Sequence, residues 1–483
     1  MKKRCILLSL ILLITSFFAL SGCSFDNAST SYKIEAELSG NTLIGKETLN
    51  YYNDTESVLT ELKFNLYANA FREGAKYSPI SAQYLSRAYP NGLSYGDIKI
   101  NSVTSNKKPL EYLVTGEDLN VLTVSLGAEL FPEERVQIEI EYNLNLANVV
   151  ARTGYNEHTI NLANFYPVLC AYDSNGFYEC IYYANGDPFY SECADYEVIF
   201  TCDTQFEVAS SGKLVSKTDS GEKSVRTFKI ENARSFAMVL SKEFESVVDT
   251  ETGVEITYYF YDDSQPAKSI EYAKKSIKLF TEKFGEYPYS TYSVVQTEFI
   301  QGGMEFPALV MISDNLEQNA YGEVIVHETA HQWWMSAVGN NEVEHAFLDE
   351  GLAEYSVVLF YENYPEYNLS RKQLIESSEK TYKVFCSVYD KIVGKTNTVM
   401  LRPLGEFSSE YEYVNMAYIK PCIMFDYLRQ SVGDKGFFEA LKRYYDNYKF
   451  KNATPDDLIA SFVKTGKDTE SFFYSFFNGK VII

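Results

Sequence analysis

The sequence predicts a multi-domain chain of β plus α class, with an N-terminal all-β saddle or sandwich domain followed by a mostly helical domain. Three observations carry this. Up to about residue 245, apolar and polar residues alternate in short runs separated by turn clusters, and no long helical stretch competes. Beyond about residue 250, apolar residues recur at helical spacing. The length of 483 residues suits roughly two to four domains, and 40 Tyr with 32 Phe supply ample apolar surface for their cores.

The chain opens with MKKRCILLSLILLITSFFALSGCS, in which Lys2, Lys3 and Arg4 precede an apolar run and then small residues. This is the layout of a secretory signal peptide, which takes no part in the fold. Leu20-Ser21-Gly22-Cys23 resembles the bacterial lipobox, whose cysteine is lipidated and becomes the mature N-terminus. The expectation is a signal peptide over 1–22, lipidation at Cys23, a polar tether over 23–31, and a body lipid-anchored to a bacterial cell membrane outside the cytoplasm. A plain signal peptide or an uncleaved anchor helix is the alternative. Residues 1–22 hold three positive charges and no negative ones, so their removal takes the net charge from −23 to −26. So acidic a surface repels phosphate backbones and excludes nucleic acid as an expected partner.

The β-domain is expected over 32–245. YKIEAEL, IGKETLNYY and VQIEIEYNL alternate as half-buried strands do. Ser39-Gly40-Asn41 and Asn185-Gly186-Asp187-Pro188 read as turns between such runs. Cys170, Cys180, Cys193 and Cys202 crowd one stretch, whereas Cys386 and Cys422 lie far downstream. In an exported protein the first four are expected to pair as disulfides, with free buried thiols as the alternative. Their spacing matches no zinc motif, and His158 is the only histidine nearby.

The second domain is expected over 246–483. Ile270, Ala273, Ile277, Phe280 and Phe284 share a helix face, and Gly285 is a natural stop. YSVVQTEFI reads as a strand, giving a small sheet at the front of the domain. VIVHETAHQWW lies on the next helix, and Ala353, Val357, Phe360 and Tyr361 mark the one after it. Ile423, Tyr427 and Leu428, then Phe438, Leu441 and Tyr445, indicate further helices.

Two of the four histidines, His327 and His331, are four residues apart on one helix face, so both imidazoles can reach one ion. Glu328 is better placed to hold a water than to bind metal. This His-Glu-x-x-His arrangement is a zinc-hydrolase signature. A catalytic zinc needs a third protein ligand and an open position. Glu350 in FLDEGLAEYS supplies a carboxylate after eighteen intervening residues, enough for a loop and a second helix to pack back. An N-terminal helix acid favoured by the macrodipole is the plainer reading of Glu350. His345, in the polar loop GNNEVEH, is a competing ligand or a surface residue.

VIVHETAHQWW followed by FLDEGLAEY resembles the gluzincin metallopeptidases of the aminopeptidase N family, to which leukotriene hydrolase also belongs. The resemblance implies a thermolysin-like zincin catalytic domain with one Zn²⁺ held by His327, His331 and Glu350, and Glu328 as general base. Gln301-Gly302-Gly303-Met304-Glu305-Phe306-Pro307 is similar to the family's Gly-x-Met-Glu-Asn motif. It implies substrate binding by Gly302, Gly303, Met304 and Glu305, with Glu305 on the free α-amino group. Phe306 stands where most relatives have Asn, which leaves the first subsite open. Tyr418-Ile419-Lys420-Pro421 resembles the Tyr-x-Lys-Gly element, with Pro in place of Gly. It implies that Tyr418 donates to the oxyanion, with Tyr411 and Tyr413 as alternatives. YKIEAEL, LKFNLYANAF and ASSGKL are similar to the family's N-terminal β-domain.

The resemblance also implies a second acidic or amide residue that helps bind the amine in larger members, whose counterpart would fall around Glu157 to Asn164. Larger members continue with further domains beyond the equivalents of ATPDDLIASF and SFFYSFFNG, so a more open cleft is expected here. The implied activity is release of N-terminal residues from peptides outside the cytoplasm. A zinc endopeptidase on the same scaffold, or a catalytically silent lipoprotein module, is the alternative.

Overall fold

The computed structural model describes residues 29–481 and 483. The expected signal peptide, the lipidation site Cys23 and most of the tether lie outside the described residues. Ser31–Ser39, Thr42–Tyr52 and Arg135–Asn145 bury alternate side chains, as their sequence pattern requires. They lie side by side at the centre of an eight-stranded sheet. Ala194–Asp203 joins Ser31–Ser39 in parallel, and the remaining pairs of that sheet are antiparallel. Two four-stranded sheets pack with it. Ile34 and Ile138 of the large sheet, Phe64 and Leu122 of one smaller sheet, and Leu162 and Met238 of the other share one core. The architecture is thus a β-rich N-terminal domain followed by a helical one.

The expected disulfides do not form. Cys170, Cys180, Cys193, Cys202, Cys386 and Cys422 are all free thiols. Two of the sulfurs are held by local partners. Cys202 lies on Ala194–Asp203, where the Arg226 guanidinium donates to its sulfur at 3.1 Å. Cys180 accepts from the Tyr67 hydroxyl at 3.4 Å. His158 is engaged elsewhere, 3.1 Å from Glu243 and stacked on Tyr261.

The second domain begins with a five-stranded sheet in the order Glu245–Asp249, Glu255–Phe260, Thr291–Thr297, Leu309–Ser313, Gly303–Met304. The last of these is an edge strand, antiparallel to its neighbour. Five long helices follow the sheet or interleave with it: α1 (Pro266–Phe284), α2 (Gln318–Ala330), α3 (Phe347–Asn363), α4 (Arg371–Val393) and α5 (Lys420–Tyr448). Trp333 and Trp334, just past α2, are fully buried against Phe280 and Phe284 of α1.

Two glycines set how closely these helices approach. A Cβ on Gly322 of α2 would lie 2.3 Å from the Tyr272 ring of α1. A Cβ on Gly351 of α3 would lie 2.5 Å from Cβ of Pro421 at the start of α5. Pro421 is tolerated there because the first turn of a helix needs no N–H from it. The two domains are tied by Arg234. From the β-domain its guanidinium donates to the carbonyls of Met335 at 2.8 Å and Lys451, and to the Asn452 side chain.

Candidate active site

Helix α2 presents His327 and, at its C-terminal end, His331 on one side, while α3 brings Glu350 from its first turn. His327 Nε2 and His331 Nε2 are 3.1 Å apart, and Glu350 Oε2 lies 3.2 Å from each. Ligands at about 2.0–2.1 Å around a tetrahedral ion stand about 3.3–3.4 Å apart, so this triangle is close to one face of a zinc coordination sphere. The remaining ring nitrogens support that use. His331 Nδ1 faces the Trp334 carbonyl at 2.9 Å, and His327 Nδ1 faces Glu354 Oε2 at 3.3 Å. Each partner takes an Nδ1–H and leaves the Nε2 lone pair for metal. The donor set of two imidazoles and a carboxylate fits Zn²⁺.

The electrostatics also favour a cation here. Burial works to raise the Glu350 carboxyl, but hydrogen bonds and charge from His327 and His331 hold it at about 2. Burial lowers His331, yet Glu305 and Glu350 outweigh it and drive its imidazole up to about 10. Glu328 is buried, and desolvation pushes its carboxyl up to about 7 against the pull of both histidines. Its Oε2 has no hydrogen-bond partner. That carboxylate borders Gly303, where an added Cβ would lie 2.4 Å from Glu328 Oε1. Only glycine lets the edge strand pass so near it.

Tyr418 sits in a π-helical turn, Asn415–Ile419, that leads into α5. Its hydroxyl donates to Glu350 Oε1 and its ring stacks on His327 at 5.7 Å. Of the two alternatives, Tyr413 also lines the cleft, its ring 5.6 Å from that of Tyr418. Tyr411 is 44% exposed and packs on Phe385 instead. The contact between Gly351 and Pro421 holds α3 and α5 together next to Glu350 and Tyr418, so these two side chains meet for a local steric reason. His345 is half-buried and belongs to none of the clustered donor groups among the described residues.

The cleft encloses about 470 Å³ and is lined by Gly302, Gly303, Glu305, Glu328 and Tyr418 together with the metal-type ligands. Met304 is directed away from it: its sulfur accepts from Arg152 Nε at 2.9 Å and its side chain is buried in a separate apolar cluster. The Phe306 ring is buried in that same cluster and does not line the cleft. Glu305 is 4% exposed, and its Oε1 has no hydrogen-bond partner. Burial and the neighbouring Asp187 carboxylate push it well above the usual carboxylate range, against the opposing charge of His331.

The stretch from Glu157 to Asn164 does not line the cleft, so the expected second amine-binding residue is not there. Sequence reading also missed what does line it from the β-domain: Tyr84, Arg152, Asn185 and Asp187. Asp187 is buried and paired with Arg152, which also lies over the Phe189 ring. The turn Asn185-Gly186-Asp187-Pro188 had been visible, but only as a separator between strands. Glu354 was missed too, although its i+4 spacing from Glu350 was a usable signal.

Residues 268–476 match the model of the Peptidase family M1 domain. Aminopeptidase N of Lactobacillus delbrueckii subsp. lactis is 27% identical over 226 residues, which are 43% of this chain and 26% of that protein. Human aminopeptidase B is 27% identical over 194 residues, 36% of this chain and 28% of its own length. The chain therefore spans about a quarter of the length of these curated relatives. The M1 zinc metallopeptidase from Deinococcus radiodurans has the same fold, with a TM-score of 0.67 at 16% identity over 95% of this chain and 96% of that one. A two-domain M1 zinc metallopeptidase bound to L-arginine superposes with a TM-score of 0.66 at 16% identity, over 95% and 96% of the two chains.

Replacing Glu354 by Ala is expected to weaken zinc binding about 10–100-fold, because His327 loses the carboxylate that orients it. Competition with a chromophoric chelator measures this. Unchanged affinity would show that Glu354 does not support the metal site.

Proposed function

We propose that the chain is a zinc aminopeptidase that releases N-terminal residues from peptides with a free α-amino group. The observation that carries this reading is Glu305, a buried carboxylate with an unpartnered oxygen beside the metal triangle. Donor atoms of Glu305, Glu328 and His331 lie within 4.8 Å of one another. A substrate ammonium supplies the cation that this carboxylate lacks. Holding the ammonium at a fixed distance from the metal selects the N-terminal peptide bond. Asp187, anchored by Arg152, stands next to Glu305 as a second acid for the same charge.

Bound zinc supplies a Lewis acid that polarises the scissile carbonyl and lowers the pKa of a water toward about 7. Glu328 then takes the proton of the attacking water and passes it to the leaving amine. The Tyr418 hydroxyl, beside the ligand triangle, donates to the oxyanion as it forms. The edge strand Gly303–Met304 offers its open side to an extended substrate backbone. A zinc endopeptidase on the same scaffold rests on the short architecture and on Phe306; the Phe306 ring does not enter the cleft, which leaves the architecture as its support.

The same proposal places the protein outside the cytoplasm, held to a bacterial membrane by lipid on Cys23. Its support is the run from Lys2 to Cys23 alone. No helix among the described residues is long and apolar enough to cross a membrane.

Glu328→Gln should keep stoichiometric zinc while kcat falls by about 10²–10⁴. Wild-type turnover of aminoacyl-arylamides by that variant would remove Glu328 as the base. Glu305→Ala should lower kcat/KM for free-amine substrates by roughly 10²–10³-fold, the cost of leaving a buried charge unpaired. Their N-acetylated twins, assayed alongside, test the assignment: substantial wild-type cleavage of the twins, or an equal loss on both sets, would rule out amine capture by Glu305. Metabolic labelling with a radioactive fatty acid should mark the wild-type chain and not Cys23→Ala. Label on neither chain would leave no support for the anchor.

A further inference from the structure

Behind the zinc-type ligands lies a second group of acids. One carboxylate oxygen from each of Glu305, Glu342 and Asp349 lies within 4.8 Å of the other two. The three residues are 4%, 5% and 2% exposed and come from separate pieces of chain. Glu305 follows the edge strand Gly303–Met304, Glu342 opens the short helix Glu342–His345, and Asp349 is in the first turn of α3. Asp349 accepts a hydrogen bond from Asn340 Nδ2 at 3.1 Å. Glu305 Oε1 and Glu342 Oε2 are fully buried, with no hydrogen-bond partner at all.

The surroundings balance this charge only in part: His331 draws on Glu305 and Asp349, and no positive charge is prominent at Glu342. The strongest charges acting on Glu342 are those of Asp349, Glu305, Asp187 and Glu350, all negative. Arg152 is committed to Asp187. Arg234, which lines a cavity of about 30 Å³ together with Glu342, spends its guanidinium on Met335, Ser191, Lys451 and Asn452. Buried carboxylates this close together need either shared protons or a cation.

We propose that Glu305, Glu342 and Asp349 bind a hard divalent cation, calcium, at a site distinct from the zinc ligands. The donors are carboxylate oxygens only, with no nitrogen or sulfur to favour zinc. Ca²⁺ takes about six to eight oxygens in flexible geometry, which suits carboxylates from separate pieces of chain better than the strict octahedron and tightly held waters of Mg²⁺. Glu305 belongs to this group and to the one with Glu328 and His331, so calcium would keep it ionised at the cleft wall. The site stands whether or not the chain is an aminopeptidase; only the consequence for amine capture rests on that reading.

The test is elemental analysis and thermal melting of the zinc-loaded full chain, in calcium-free buffer and then with calcium up to about 10 mM. The range covers the weak affinities of extracellular calcium modules. The expected result is one calcium beside one zinc, with Tm raised by about 1–3 °C. Glu342→Gln and Asp349→Asn should each keep the zinc and lose both the calcium and the shift. Absence of bound calcium in the wild-type chain overturns the proposal, as does its retention by both variants. A Glu342→Gln chain that melts higher than wild type, where wild type ignores calcium, would show that the acids share a proton instead.

Discussion

Three nitrogen and oxygen atoms from two helices must converge on a point to within a few tenths of an ångström, and much of the second domain exists to meet that requirement. A helix fixes the His327–His331 relation by itself, since residues four apart share a face. It cannot fix Glu350, which depends on how α3 crosses α2. That crossing is set by packing. Trp333 and Trp334 are locked against Phe280 and Phe284, and Trp334 Nε1 donates to Ser356 on α3 at 3.3 Å. On the far side of α3, Gly351 admits Pro421, which brings the Tyr418 turn to the other oxygen of Glu350. Protein interiors are close-packed, so a misplaced methyl group at Gly351 would be felt at the ligand triangle.

The second constraint is charge. Glu305, Glu328, Glu350 and Asp187 are all buried around one cleft, in a chain whose formal net charge is −23. Burial alone would protonate such groups. Glu350 escapes because two imidazoles bond to it, whereas Arg152 only partly offsets burial at Asp187, whose carboxyl stays above its ordinary value. Glu328 and Glu305 have no such fixed partner. Burial raises Glu328 to about 7 and Glu305 well above the usual carboxylate range, and both are poised to respond when a positive group arrives. The same environment thus makes the cleft favour cations.

How legible this was in the sequence follows the range of each interaction. Strand alternation and helix spacing are local, so the three central strands of the large sheet and the helix carrying His327 and His331 could be read directly. The free cysteines could not, because crowding in sequence says nothing of which sheet each sulfur joins. Nor could Asp187, whose partner Arg152 is 35 residues away and whose neighbour Glu305 comes from the other domain. Glu354 was within reach of the helical rule that links it to Glu350. It was passed over because only its position relative to His327, across two helices, gives it a role. Phe306 shows the converse: a departure from a motif that looked consequential proves to lie in a core, where an apolar ring is what the site requires.

The β-domain is therefore part of the site and not a support for it. The metal-type ligands, Glu328 and Tyr418 all lie on the helical domain, but the wall facing them carries Tyr84, Arg152, Asn185 and Asp187. Across the mouth, the Tyr84 hydroxyl donates to Glu410 at 3.1 Å, closing one side of the cleft. Arg234 then matters for more than stability. Its bonds to Met335, Lys451 and Asn452 hold the two domains in one register, and Met335 is only four residues beyond His331. A displacement of the β-domain would leave the metal ligands intact while removing Asp187 from Glu305. The local geometry of metal binding and the longer-range geometry of charge recognition thus depend on different contacts. Separate sets of residues could tune affinity for metal and choice of ligand independently.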